Sequence, residues 1–137
     1  MAFDPELVAE TRAWFVKASN DIRAAEALTA TSPPLLGEAA FHCQQAAEKA
    51  MKGFLTWNDQ AFRKTHNLEE IAEQCLAIDS SWREEIDRAV PLSEYAWKFR
   101  YPGEPYTLPA DEVAEAIAIC HRIVDAALSR LPLDVRP

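Results

Sequence analysis

The chain has 137 residues, enough for one domain with a real core, and 49% of them are hydrophobic, as in a globular protein. Only 3 glycines favour helix, and a formal net charge of -8 argues against attraction of the whole surface to nucleic acid. No apolar run is long enough to cross a bilayer, and the acidic opening Met1–Glu6 lacks a signal-peptide pattern, so a cytoplasmic protein is expected.

In chain order, Asp4-Pro5 reads as an N-cap followed by proline at the first helical position, where its missing N–H costs nothing. Leu7, Trp14, Ala18, Ile22, Ala25 and Leu28 then recur at helical spacing and predict one apolar face, which Thr31-Ser32-Pro33-Pro34 brings to an end. A second helix is predicted from about Leu35 to Trp57. A third begins near Asn67, where Asn67 and Glu70 have capping-box spacing, and runs through Ile71 and Cys75. Ser81 and Glu84 repeat that spacing ahead of Trp82, Ile86 and Val90, and Pro91 is expected to kink or split this fourth segment. Tyr101 to Pro109 is a loop. Val113, Ile117, Cys120, Val124, Ala127 and Leu131 form the apolar seam of the last helix. No run alternates with period two. The expectation is a single all-α domain over residues 1–137, an antiparallel up-and-down four-helix bundle with an additional short helix, about five helices in all.

Cys43, Cys75 and Cys120 are too far apart for a disulfide framework or a zinc site and sit among apolar neighbours, so they read as buried side chains, with no metal expected.

The second helix is the most informative. At about 100° per residue, His42, Gln45, Glu48, Lys49 and Lys52 fall within roughly 120° of arc, opposite Cys43, Ala47, Ala50, Met51 and Phe54. Gln44 projects near the apolar edge and needs a partner if buried. Such a stripe can be a solvated face, with Glu48 and Lys52 as an i,i+4 pair worth roughly a few tenths of a kcal/mol. It can also offer ammonium and amide groups to a phosphate. Arg63-Lys64-Thr65-His66, Lys98 and Arg100 are further groups able to join it, and Trp97-Lys98-Phe99-Arg100-Tyr101 mixes aromatics with cations as a base-stacking segment does. His42 and His121 lie inside helices without paired ligand spacing and read as structural. There is no glycine-rich phosphate loop, Cys-x-x-Cys, His-Glu-x-x-His or nucleophile elbow.

Three pieces, Phe41-His42-Cys43-Gln44-Gln45-Ala46-Ala47-Glu48-Lys49-Ala50-Met51-Lys52, then Lys64-Thr65-His66-Asn67-Leu68, then Arg100-Tyr101-Pro102, together resemble the HEPN family, with a weaker match at Ala18, Asp21 and Ala25. The resemblance implies a helical bundle, frequently dimeric, of a kind proposed to bind nucleotides and often encoded beside a minimal nucleotidyltransferase as a toxin–antitoxin or accessory pair. Catalytic members are metal-independent endoribonucleases that use an Arg followed, after four to six residues, by a His. The His moves a proton and the Arg stabilises phosphate charge. Arg100 matches that arginine, but the histidine positions hold Pro105, Tyr106 and Thr107, none of which replaces it at neutral pH.

The resulting expectation is a nucleotide- or phosphate-binding accessory module without catalytic residues or cofactor, acting as a homodimer or with a nucleotidyltransferase. Gln45, Lys49, Lys52, His66 and Arg100 are the candidate ligand-binding residues. The lysines and Arg100 would hold phosphate oxygens, Gln45 and His66 would orient the ligand, and Glu48 would position a lysine. Two alternatives remain: a divergent endoribonuclease toxin in which His66 supplies the missing imidazole, and a purely structural interaction protein. RNA is not favoured as a partner.

Overall fold

The structure, a computed structural model, describes residues 2–62, 64–99, 101–103 and 107–137. Among them are five α-helices and no strand: α1 (Pro5–Thr29), α2 (Leu36–Trp57), α3 (Leu68–Ile78), α4 (Arg83–Ala89) and α5 (Ala110–Leu128), with 3₁₀ turns at Ser80–Trp82, Val90–Ala96 and Leu133–Val135. None of the described helices is long and apolar enough to cross a membrane.

Asp4 caps α1 by accepting from the Glu6 N–H at 3.0 Å, just ahead of Pro5. The buried face of α1 is Thr11, Phe15, Ala18, Ile22 and Ala25, joined by Asp21. Leu7, Trp14 and Leu28, expected on that face, are half-buried at its margins. The row is turned because the 4-3-4-3 spacing that runs through Phe15 packs onto α2.

α2 is the centre of the molecule, flanked by α1, α3, α5 and the 3₁₀ turn that follows α4. Helices can crowd it because so many of its positions are small: Ala39, Ala40, Ala46, Ala47 and Ala50 are fully buried. At Gly53 an added Cβ would lie 2.7 Å from Cε2 of Phe15. Phe15 beside Gly53, Asp21 beside Lys49 and the Leu35 N–H on the Leu28 carbonyl at 2.9 Å establish α1 and α2 as an antiparallel hairpin.

After α2 the chain doubles back along it. Phe62 stacks under the Lys52 ammonium, 5.0 Å from the ring centre, and packs edge-on against Trp14, and His66 reaches Glu48 one turn earlier on the helix. Gln74 of α3 ties this segment down by donating to the Ala61 carbonyl at 2.7 Å. Asn67 caps α3 where predicted, but by accepting from the Glu69 N–H, one residue before the Glu70 of the expected capping box, and its own N–H goes to Thr65 Oγ1. The cap before Trp82 is different: Asp79, not Ser81, is the acceptor, receiving the Ser81 N–H, and α4 begins two residues later than that N–H. The Ser81 hydroxyl is taken up instead by Arg130, which donates to its Oγ at 2.9 Å and also lies 3.4 Å from Asp79.

Pro91 splits the fourth segment, since it has no N–H for an α-helical bond, and the chain tightens to 3₁₀ over Val90–Ala96. Tyr95 of that turn donates its hydroxyl to Glu112 at the start of α5. α5 buries Val113, Ala116, Cys120, Ile123, Val124 and Ala127. Ile117 is marginal, and Leu131 lies beyond the helix but is still buried. The three cysteines are buried and free.

Candidate functional site

The polar stripe of α2 is not a solvated face. Glu48 is 6% exposed at its side chain and accepts three hydrogen bonds: from Gln44 at 3.0 Å, Lys52 at 3.0 Å and Nδ1 of His66 at 2.9 Å. Burial works to raise its pKa, but His66, Lys52 and Gln44 together outweigh that and hold the carboxyl below its ordinary 4.5. Glu48 is therefore ionised at neutral pH, so Nδ1 of His66 carries the proton that bonds it and Nε2 faces away. Gln44, fully buried, meets the requirement that its position imposes. It donates to Glu48 and to the His66 carbonyl, 3.2 Å away, and accepts from Gln45 at 2.6 Å.

A second carboxylate lies on the α1 side. Asp21 accepts from Nδ1 of His42 at 2.8 Å and from Lys49 at 2.5 Å, binding two groups that stand two turns apart on α2. The Lys52 ammonium, besides Glu48, lies 5.9 Å from the Trp14 ring centre, a position that suits a partly desolvated cation.

The structure thus brings Gln45, Lys52 and His66 into one hydrogen-bonded system around Gln44 and Glu48 and places Lys49 in the adjoining Asp21 system. Arg100 lies outside the described residues, as does Arg63. Both lysines already carry a carboxylate partner. His66 is the member turned outward, 69% exposed at its side chain. It lines a cleft of about 370 Å³ with Asn67, Ser93, Glu94, Ala96 and Trp97. Trp97, itself 60% exposed, forms an aromatic wall there. Phe99 beyond it has a φ of 65°, and its carbonyl would be 2.8 Å from a Cβ added at Gly37, so the segment leading to Arg100 is pressed against the start of α2. Among the described residues no group of three or more His, Cys, Asp or Glu is placed to hold a metal.

The HEPN domain family model matches residues 11–131, from the second turn of α1 onward through α5, with both carboxylate systems inside it. The chain belongs to the HEPN domain family. No curated protein and no solved structure matches it. For this HEPN domain, the sequence motif of the second helix is a set of internal ion pairs that locks α1, α2 and the loop before α3 together.

Residue-type reasoning passed over Asp21 and His42 as site members. A signal was present. Asp21 is a lone carboxylate within the buried row of α1, and His42 shares a face of α2 with Lys49, seven residues on.

Proposed function

We propose that this HEPN domain is a non-catalytic binding module of the cytoplasm that takes a nucleotide at the His66 cleft, as a homodimer or as the accessory of a nucleotidyltransferase. The observation that carries the reading is the Glu48–His66 pair. A buried, ionised carboxylate fixes the imidazole by Nδ1 and leaves Nε2 to accept from a ligand hydroxyl, such as that of a ribose, at a cleft walled by Trp97. Trp97 offers a face for the base. Lys52 and Gln45 support the pair through Glu48 and Gln44, while Lys49 and Arg100 are the cations proposed to approach phosphate oxygens. Pro105, Tyr106 and Thr107 in the histidine positions after Arg100 are the ground for a binding role over a cleaving one.

Calorimetric titration with a panel of nucleotides tests this. The wild type is expected to bind, His66→Ala and Trp97→Ala to weaken binding at least about tenfold, and Lys49→Ala/Lys52→Ala to weaken it also. No heat with any nucleotide would sink the proposal and leave a protein that acts through protein partners. Light scattering across a dilution series tests the homodimer.

The Glu48–His66 pair also favours a second reading. An oriented imidazole is what a general acid or base requires, so a divergent endoribonuclease is the alternative. It requires RNA cleavage without metal that disappears in His66→Ala, and toxicity on expression.

A further inference from the structure

On the face formed by α4, the Val90–Ala96 turn and α5, two adjoining cavities of about 110 Å³ and 250 Å³ share Arg88 and Ile119 as common walls, forming one groove. Its floor is apolar, built from Pro91, Leu92, Tyr95, Ala116 and Ile119. Five carboxylates line it: Glu84 and Glu85 on α4, Glu94 in the turn, and Glu112 and Glu115 on α5. Two guanidiniums oppose them. Arg88 pairs with Glu84 at 3.0 Å, and Arg122 comes within 3.9 Å of Glu115. Lys98 adds a contact to Glu94 at 3.7 Å, and Glu112 receives the Tyr95 hydroxyl. Even so, anionic groups outnumber cationic ones around an apolar trough. On α5 the groove runs from Glu112 to Arg122, about 15 Å at the rise of an α-helix, the length of about three helical turns in a partner.

We infer that this groove is a docking surface for a basic amphipathic helix of a protein partner. Such a helix sets one or two aliphatic side chains over Ile119 and Leu92 and its lysines or arginines against the flanking glutamates. Charge complementarity selects this occupant. A second copy of this chain, with its charge of -8, would bring like charge to the rim, and so would nucleic acid. An amphipathic helix laid by its apolar face into a groove is a recurring mode of recognition, and the glutamates of this rim favour cations beside its anchors. The inference does not rest on nucleotide binding. The groove and the His66 cleft have only Glu94 in common as a lining residue.

The test uses the full chain and two fluorescein-labelled synthetic helical peptides, one with leucines on one face and lysines on the other, the second with glutamates replacing the lysines. Anisotropy should show the lysine peptide binding and the glutamate peptide not. Glu85→Lys/Glu115→Lys should weaken binding at least about tenfold. Glu10→Lys/Glu73→Lys, which changes the net charge equally on other faces, should leave it within about twofold. Ile119→Ser should also weaken it, with a thermal melt confirming that this variant folds; the glutamate variants carry the test if it does not. Absence of binding, equal loss in both charge-reversed variants, or equal binding of the two peptides would overturn the inference. Nucleotide calorimetry on Glu85→Lys/Glu115→Lys keeps the two readings apart, because binding at the His66 cleft should persist there.

Discussion

At the scale of single residues, Glu48 decides most. A carboxylate almost wholly out of water is tolerable only with its lone pairs occupied, and Gln44, Lys52 and His66 occupy them. Glu48→Ala leaves the Lys52 ammonium and the His66 Nδ1–H without their carboxylate acceptor, and urea unfolding should show a loss of about 3 kcal/mol. The pH dependence has a definite sign. The folded-state pKa of Glu48 lies below its ordinary 4.5, so the stability it contributes is fully present above that value and lost as pH falls through the lowered one. Unfolding followed from about pH 7 to about pH 3 should show wild type and Glu48→Gln converging in the acid range. A constant difference across that range would mean that Glu48 gains nothing from its partners. Gln44 was legible in the sequence as a group that would need a partner. Two of its partners, Gln45 and Glu48, lie one and four residues along α2, but the third, the His66 carbonyl, was not legible because it arrives from a loop 22 residues away.

At the scale of elements, the α1–α2 hairpin depends on close approach. Gly53→Ala should raise the helical propensity of α2 by about 1 kcal/mol. The new methyl would nevertheless meet Phe15, which is fully buried, and Trp14 Cβ at 3.1 Å. Overpacking at a site that cannot yield costs about 1–3 kcal/mol, so a net loss of about 1 kcal/mol in thermal or urea unfolding is expected. An unchanged or higher melting temperature would show that α1 can shift outward. The helix starts at Asp4-Pro5 and Asn67 and the break at Pro91 were readable because caps and proline act through their immediate neighbours. The start of α4 was misread because the Ser81 hydroxyl answers to Arg130, a residue of the far C-terminal segment.

For the whole molecule, three thiols buried in one core make labelling a probe of global opening. Burial pushes the Cys75 thiol up to about 12, and its Sγ contacts the Met51 carbonyl at 3.6 Å. Cys120 Sγ contacts the Cys43 carbonyl at 3.0 Å. In native buffer a disulfide reagent should label none of the three, and all should react together as denaturant unfolds the chain. Labelling of one cysteine well below the unfolding midpoint would show that its helix opens independently.

The sequence by itself determined the all-helical class, most helix starts, the acidic balance of charge and the absence of a histidine at positions 105–107 after Arg100. Each of these is a property of composition or of residues a few positions apart. Only the tertiary structure decided that the polar stripe of α2 faces inward and that its lysines answer to Asp21 and Glu48. The same holds for His66, which stands outward on a buried carboxylate. Helical periodicity gives the direction of a side chain about its own axis. Which helix or loop meets it there depends on the path of the connections, and in this chain the segment after α2 turns back along the helix it has just left.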